Sequence, residues 1–386
     1  MARETLIMNI PKFLGRIAFR LNGGVIHLRP SGKIKGRVLF SYVTHPFLTN
    51  GPWNSHTSYW EGHTMVKTFL ERGYAVDVID STNQTFIPST RYEFFIDNNI
   101  NMERLAPLLN PDCFKILHIT NAHPNFQNEA AKKRAEALEK RKSASLAPDR
   151  NIPLTHGIEI ADIAVALGNQ FTIDTYAFSG KTIIRVPISS THTFPNPEEK
   201  NFERARKNFV WIGGAGLLHK GLDLVLEAFT EMPEYTLTIC GKIQPSDALA
   251  KIYKRELYQT PNIKTLGFID PGSSQFKEVY SNSLGVISAS CSEGGGGSVI
   301  LAMHAGLIPI VNYETSVDVE DFGVLISNST IEEIKKAVLS LASAPTKELQ
   351  WRTMSAWKYA REHHTRDLFE KQYGTFIDSI IKKGTT

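Results

Sequence analysis

The chain has 386 residues, enough for two domains of ordinary size that each bury a hydrophobic core. Its composition, 42% hydrophobic and 21% charged, is typical of soluble globular proteins, and no apolar run approaches the ~20 residues of a membrane-spanning helix. The net charge of +4 suits the binding of acidic groups but gives no reason to expect nucleic acid as a partner.

Cysteine usage and the N-terminus bear on the cellular compartment. Cys113, Cys240 and Cys291 lie far apart, without a CxxC pair or a metal-ligand spacing, which favours a reduced, cytoplasmic setting. No signal peptide is expected, because residues 1–20 carry Pro11 and scattered charges where an unbroken apolar core would be needed.

The first twenty residues alternate apolar and basic side chains, among them Lys12, Arg16 and Arg20. Such a segment can dock on an anionic membrane surface, which would make the protein peripheral at the inner face of the membrane. The same pattern is more often a helix packed on the protein's own body. The sequence favours the second interpretation and leaves the first open.

The N-terminal half opens with a βαβ pattern. An apolar run at 36–42 predicts the first core strand, residues 59–72 have helical periodicity, and 74–79 predicts a second strand. The loop 44–56 is long and rich in His, Asn, Trp and Pro, and loops of that length are usually functional or disordered. Its aromatic residues favour an ordered loop that faces a ligand. Further strands are predicted at 94–96, 116–119, 163–167 and 182–186.

A strongly charged helical stretch contains the basic triplets 132–134 and 140–142. Glu129, Glu136 and Glu139 are interleaved with them. Opposite charges at these spacings form i,i+4 pairs on a helix surface. The stretch is therefore predicted to be a solvated helix face.

The polar segment 187–208, with two prolines and mixed charges, predicts a domain boundary. A second α/β series follows it, so the fold class is α/β with two Rossmann-like domains. The predicted divisions are 1–190 for the first domain, 191–208 for the linker, 209–357 for the second domain and 358–386 for a C-terminal helix.

Residues 284–311 read as a strand, a glycine loop, a helix and a second strand. Ligands of open α/β sheets bind beyond the carboxyl ends of the strands, where helix N-termini direct amides at anions. Glycines let the backbone approach phosphate or sugar without a Cβ in the way. We therefore expect a phosphate-bearing ligand beside Glu293, with Ser298 either capping the helix or contacting phosphate. The glycines concerned are Gly294, Gly295, Gly296 and Gly297.

Two cofactor classes fit this architecture poorly. The nicotinamide fingerprint GxGxxG is begun by Gly214 and Gly216 but ends on His219. A metal-dependent nucleotide-sugar site would need an Asp-x-Asp at a strand end, and the acidic pairs of this chain have the wrong spacing or place. We expect neither a metal nor a cofactor.

Four motifs carry a resemblance to a known family. They are the glycine loop ending in Lys220, the strand ending in Gly241, the 266–269 segment, and the Ser-x-x-Glu-Gly stretch at 290–294 with its following helix and strand. Over about 209–341 this ensemble is similar to the group 1 (family 4) glycosyltransferases of the GT-B fold. The N-terminal half is similar only in outline.

The resemblance implies two Rossmann-like domains that face each other across a cleft, with a C-terminal helix crossing back to the N-terminal domain. It implies a metal-independent, retaining glycosyltransferase of polysaccharide or glycoconjugate synthesis. The expected donor is UDP-glucose or another UDP-hexose, and the acceptor a saccharide or glycolipid. The alternatives are a GT-B sugar-nucleotide 2-epimerase and a non-catalytic nucleotide-sugar-binding protein, and the oligomeric state stays open.

The resemblance also assigns roles to residues. Lys220 would hold the donor diphosphate and stabilise the charge of the leaving nucleotide, as electrostatic groups do in transfer chemistry. Glu293 would contact the donor sugar's hydroxyl groups, and His123 would reach that sugar across the cleft. The first long loop borders the acceptor in this family, which implies His56 and Asn54 as sugar contacts. The other implied substrate-binding residues are Gly214, Gly216, Gly241, Phe268, Gly294, Gly295, Gly296, Gly297 and Ser298.

Two positions depart from the family pattern. Where members carry an Arg for the donor diphosphate, this chain has Gly214 or Ala215. Lys220, the loop amides and His219 are left for that task. The second acid of the family's glutamate pair, a ribose ligand, falls on Leu301. The chain is therefore predicted to be a divergent member.

Overall fold

The computed structural model describes residues 23–98 and 100–383. The prediction for residues 1–20, with its peripheral membrane contact, lies outside the described residues. Among those that are described, no helix is both long enough and apolar enough to cross a membrane.

The first sheet is built from the apolar runs of the N-terminal half. Its strands are β1 (Val25–Leu28), β2 (Gly36–Tyr42), β3 (Tyr74–Asp80), β4 (Phe94–Asp97), β5 (Phe114–Ile119), β6 (Ile163–Ala166) and β7 (Ile183–Arg185). They lie in the order β1-β3-β2-β4-β5-β6-β7, and β1 alone among these described strands is antiparallel to its neighbour. Along β2, Val38 and Phe40 enter one core cluster and Leu39 another, so both faces of the sheet are buried.

The helices of this half connect consecutive strands, as a parallel sheet requires. They are α1 (His45–Leu48), α2 (Thr57–Glu71), α3 (Asn101–Leu105), α4 (Pro124–Lys142), α5 (Gly157–Ile160) and α6 (Gln170–Asp174). Short 3-10 turns occupy Ala106–Leu108 and Ala177–Ser179.

The second sheet is parallel throughout its described strands. These are β8 (Asn208–Gly213), β9 (Thr236–Gly241), β10 (Ile263–Gly267), β11 (Gly285–Ser288), β12 (Ile308–Asn312) and β13 (Val324–Ile326), and their order is β10-β9-β8-β11-β12-β13. The helices after β7 are α7 (Phe202–Ala205), α8 (Leu222–Thr230), α9 (Ala248–Ile252), α10 (Lys254–Tyr258), α11 (Ser274–Ser281), α12 (Gly297–His304), α13 (Ile331–Ser343), α14 (Thr346–His363) and α15 (Arg366–Lys383), with a 3-10 turn at Tyr313–Thr315. Both Rossmann-like sheets predicted from the sequence are confirmed.

Helix α4 corrects the prediction of a solvated helix face. Lys132 and Lys133 do form exposed i,i+4 pairs. The opposite side of the helix, however, packs on the second domain: Ala135 and Leu138 belong to the hydrophobic cluster of the second sheet. Arg141 bonds the buried carboxylate of Asp223 on α8. Interleaved charges occur on helices that pack against another domain as well as on solvated helices, so the charge pattern alone does not distinguish the two cases.

The C-terminal tail forms two helices, and the second one returns to the first domain as predicted. On α15, Phe369 and Tyr373 are buried against the N-terminal core, and the ring of Phe369 lies 6.1 Å from that of Trp60 on α2. The break between the helices is held by His364, whose Nδ1 lies 2.9 Å from the carbonyl oxygen of Ile188.

One hydrophobic cluster runs through both halves of the molecule. It includes Val76 of the first sheet, Val286 of the second and Ile377 of the final helix. The segment between β7 and β8 joins the sheets, and the domain divisions drawn from the sequence stay predictions.

Candidate active site

The site lies at the carboxyl ends of the second sheet's strands, where they face the first domain. After β11, residues 289–296 form a buried loop, and α12 begins at Gly297 with Gly296 as its N-cap in a left-handed conformation (φ +53°). The carboxylate of Glu293 stands in this loop and is only 10% exposed. It is therefore a buried charge that needs partners.

Lys220 provides the closest partner. Its loop leaves β8 at Gly213 and ends at Gly221, whose φ of +72° and close approach to the carbonyl oxygen of Ala289 exclude a side chain. The ammonium group of Lys220 bonds Oε1 of Glu293. The hydroxyl of Ser290 donates to the same oxygen at 3.1 Å. The two motifs predicted as donor-binding therefore meet.

Arg150 is a residue of this site that the sequence analysis did not identify. Its Nη1 lies 3.4 Å from Oε2 of Glu293, and its Nη2 donates to Oδ1 of Asn121 at 2.9 Å. Arg150 belongs to the loop after α4. It lies far in sequence from every predicted motif, so no local pattern identifies it as a site residue.

The charge state of Glu293 follows from these contacts. Burial alone would raise its pKa, but the positive charges of Lys220 and Arg150 outweigh burial and lower the pKa to about 2. Glu293 is thus a carboxylate at neutral pH. It can accept hydrogen bonds and stabilise positive charge, and it has no proton to donate.

His219, considered above for the diphosphate, is turned inward. It is 1% exposed, and its Nε2 donates to the carbonyl oxygen of Ser292. Nδ1 then accepts from the thiol of Cys291 at 3.3 Å. Burial lowers the pKa of His219 to about 4, so the ring is neutral. Its visible task is to hold the Glu293 loop against the Lys220 loop.

The four glycines are predicted to let the backbone approach phosphate or sugar, and two of them are also required by close packing within the protein. A Cβ on Gly294 would lie 2.2 Å from the carbonyl oxygen of Thr120 in the first domain. A Cβ on Gly296 would lie 2.3 Å from Val317, while those on Gly295 and Gly297 would approach Ile188 no closer than 3.4 Å. Glycine at 294 and 296 thus allows close contact within the protein, and binding of phosphate or sugar by the run stays a prediction.

His123 caps helix α4, and its Nδ1 accepts from the amide of Asn125 at 3.3 Å. Its ring packs edge-on against Tyr176 and Phe178. Burial lowers the pKa of His123. The contacts of its side chain in the described structure do not include Glu293 or Lys220, and its role toward the sugar stays a prediction.

The two residues predicted to contact the acceptor have different surroundings. His56 caps α2, with its Nδ1 accepting from the amide of Ser58 at 3.2 Å. Burial, and then the charges of Arg150 and Lys220, lower the pKa of His56, although the residue keeps an exposed surface. Asn54 is instead tied to the final helix, because its Oδ1 accepts from Nη2 of Arg366 at 2.7 Å.

Two of the remaining predicted residues lie in the loop after β8. Gly214 is exposed and Gly216 is buried with φ +81°. A Cβ on Gly241 would lie 2.7 Å from the carbonyl oxygen of Gly213, which explains the glycine there. Phe268 is 60% exposed at the rim, with the ammonium of Lys242 at 5.2 Å from its ring centre. Ser298 follows in the first turn of α12, whose N-cap has no side-chain bond.

Leu301, where the second acid was expected, is buried in the core on α12. Across residues 23–98 and 100–383, no group of three or more His, Cys, Asp or Glu side chains is arranged to hold a metal ion. Independence from metal stays a prediction.

Residues 194–356, less than half of the chain, match the family model described as glycosyl transferases group 1. No curated protein sequence matches the chain.

Solved structures match it over nearly its whole length. Sucrose-phosphate synthase from Thermosynechococcus elongatus is 13% identical, with a TM-score of 0.63 over 90% of this chain and 99% of that one. HepE from Anabaena, in complex with UDP and glucose, is 11% identical, with a TM-score of 0.58 over 89% and 100%. A glycosyltransferase from Rickettsia africae is 14% identical, with a TM-score of 0.52 over 90% and 99%. The chain therefore has the two-domain GT-B fold of these glycosyltransferases, and its residues 194–356 carry the sequence pattern of glycosyl transferases group 1.

Proposed function

We propose that the chain is a metal-independent, retaining glycosyltransferase that moves a hexose from a nucleotide diphosphate sugar to a saccharide or glycolipid acceptor. UDP-glucose is the first donor to test. The observation that carries the proposal is the contact between Lys220 and Glu293 at the carboxyl ends of the second sheet. The family match over 194–356 and the UDP bound by the similarly folded HepE support it.

The two residues divide the work of sugar transfer. In the reaction, the bond from the anomeric carbon to the diphosphate breaks while the acceptor oxygen bonds that carbon, and the acceptor proton leaves with the phosphate. Lys220 stabilises the negative charge that grows on the departing diphosphate. Glu293, ionised because of its low pKa, accepts hydrogen bonds from sugar hydroxyl groups and stabilises the positive charge on the anomeric carbon.

The rim of the cleft suits a nucleoside. Phe268 presents an exposed ring at the end of β10, and Gly214 leaves the loop after β8 open. Bases stack on aromatic faces with little dependence on sequence. We place the base at Phe268, the diphosphate at the loop of Lys220 and the sugar at Glu293.

A panel of nucleoside diphosphates and nucleotide sugars, in buffer with EDTA, tests this proposal by the rise of the unfolding temperature. We expect UDP and UDP-glucose to raise it, because a ligand that binds only the folded state stabilises it. No shift with any member of the panel would contradict the proposal.

Product analysis then separates the reaction classes. Transfer to a sugar acceptor, or slow release of the nucleotide by hydrolysis, supports a transferase. An epimerised nucleotide sugar formed without acceptor would identify a 2-epimerase. Binding without any turnover would identify a non-catalytic protein, an alternative that is considered because Leu301 stands where a second acid was expected.

A further inference from the structure

The loop that follows helix α4 carries a cation into the proposed donor site from the first half of the chain. The stem of Arg150 crosses the glycine loop after β8, with its Cδ 3.5 Å from the position that a Cβ would take on Gly216. Its guanidinium reaches Glu293 and Asn121 at 3.4 and 2.9 Å. A third of the side chain, 33%, remains exposed, so the charge is open to the cleft.

Neighbouring contacts fix this loop on the second domain. The carboxylate of Asp149 accepts from the amides of Leu218 and His219 at 2.8 and 3.1 Å, directly before Lys220. On the other side, the side chain of Asn128 bonds both the amide and the carbonyl of Ile152 at 2.9 and 2.8 Å. Arg150 is thus held between two anchors.

Helix α4 is itself anchored to the second domain. Nη2 of the buried Arg134 donates to the carbonyl oxygen of Ala289 at 2.9 Å. Arg141 bonds Asp223, and Lys142 bonds Glu256 at 3.2 Å. The segment is therefore attached to the half of the molecule that carries the loops of Lys220 and Glu293, although its sequence belongs to the first half.

We propose that Arg150 is a ligand of the donor diphosphate and supplies the cation that the glycine loop lacks at Gly214 and Ala215. The proposal rests on the proposed function and names a binding residue for the same site. A guanidinium group has five N–H donors and can bind two phosphate oxygens side by side. Within the described residues, Asn121 and Glu293 are its hydrogen-bond acceptors, and its other N–H groups are uncommitted.

The charge balance of the site supports this role. Lys220 alone would offer a diphosphate one ammonium group that is already paired with Glu293. Arg150 adds a second cation on that carboxylate, while the neighbouring carboxylate of Asp149 is engaged by the amides of Leu218 and His219. A diphosphate is thereby given a bidentate guanidinium donor beside the point charge of an ammonium group.

Calorimetric titration with UDP and NMR titration with uridine, both in EDTA, test the proposal in wild type, Arg150→Ala, Arg150→Gln and Arg150→Lys. We expect both neutral variants to bind UDP at least tenfold more weakly while their uridine affinity changes less than twofold. Arg150→Lys should recover part of the loss. Arg91→Ala, which removes an exposed arginine paired with Asp112, is the matched control and should bind as wild type does.

Two results would overturn the proposal. If either folded neutral variant binds UDP within twofold of wild type, Arg150 is not a phosphate ligand. If UDP and uridine affinities fall together, Arg150 acts by holding the loop. Failure of the proposed function looks different, because then wild type itself binds neither UDP nor any other nucleoside diphosphate.

Discussion

Arg150 and Glu293 are 143 residues apart in the sequence, yet Nη1 of one lies 3.4 Å from Oε2 of the other. Lys220 bonds the second oxygen of the same carboxylate. One carboxylate thus holds two cations that come from different halves of the chain. An anionic donor would compete with Glu293 for both, so the ion pairs keep the cations in place until the donor arrives.

Lys220→Met should weaken UDP binding at least tenfold, because the variant keeps the apolar stem and removes the charge that faces the diphosphate. Lys220→Arg should retain most of the affinity. Calorimetric titration measures both, with the exposed Lys277→Met on α11 as control. Equal UDP affinity in wild type and Lys220→Met would remove Lys220 from the donor site.

Asp149→Ala should lower the free energy of unfolding by about 1–3 kcal/mol, since the backbone amides of the buried Leu218 and His219 lose their acceptor. UDP affinity should fall severalfold, because Lys220 and Arg150 both stand beside this contact. Asp149→Asn keeps one acceptor oxygen and should fall between. Urea unfolding of these variants measures the effect, with Asp112→Ala at an exposed ion pair as the control. If Asp149→Ala and this control lose the same stability, the bonds of Asp149 to the two amides do not stabilise the fold.

Glu61 on α2 should make stability depend on pH. The carboxylate is fully buried and accepts from the amide and hydroxyl of Ser189 at 2.7 and 2.8 Å. Burial raises its pKa from 4.5 to about 7, although the bonds from Ser189 and the charge of Arg366 oppose the rise. Because the pKa of Glu61 is higher in the folded chain than in the unfolded chain, its contribution to the free energy of unfolding is complete below about pH 4.5. That contribution is lost as the pH rises through about 7, and the loss is about 3 kcal/mol.

Glu61→Gln, which is neutral at every pH, should remove that loss. Urea unfolding between pH 5 and 8 should show a flatter slope for this variant than for wild type and a higher free energy of unfolding at pH 8. Glu71→Gln, on the exposed side of the same helix, should keep the wild-type slope. Parallel slopes for Glu61→Gln and wild type would show that Glu61 is ionised throughout.

The final helix should be held by packing more than by its surface ion pairs. Tyr373 is 0% exposed, so Tyr373→Ala should cost about 3–5 kcal/mol of unfolding free energy. Asp378→Asn, which breaks an exposed pair with Arg72, should cost less than about 1 kcal/mol.

Tyr373→Phe sharpens the same test. The hydroxyl of Tyr373 is buried and has no hydrogen-bond partner within the described part of the chain. Its removal should leave stability unchanged or raise it by about 1 kcal/mol, because a buried polar group without a partner is costly. Chemical unfolding decides, and a clear loss of stability in Tyr373→Phe would reveal a bond to the hydroxyl.

Local patterns explain what the sequence could predict. Strand β2 is an apolar run, and the segment around Glu293 combines a strand, a glycine loop and a helix within thirty residues or so, so both can be read from neighbours in the chain. The meeting of Lys220 and Glu293 followed because they lie in the loops after β8 and β11, which are parallel neighbours whose carboxyl ends share an edge of the sheet.

Contacts between the domains could not be predicted in this way. Arg150 reaches the site only because α4 docks on the second domain, and the charge pattern of α4 is equally compatible with solvent. Gly294 looks like a phosphate-binding glycine in sequence, but its close neighbour is the backbone of Thr120. Such partners are set by how two domains face each other, which no local pattern records.

Release of nucleotide from UDP-glucose and related nucleotide sugars, measured in EDTA with a pool of saccharide acceptors, tests the central claim most directly. We expect wild type to release the nucleoside diphosphate from at least one donor. Glu293→Gln should release it at least a hundredfold more slowly while binding the free diphosphate at least as tightly as wild type, since the lost carboxylate serves the sugar and competes with the diphosphate for the two cations, which remain. Equal rates in wild type and Glu293→Gln, or no release by wild type from any donor, would contradict the account.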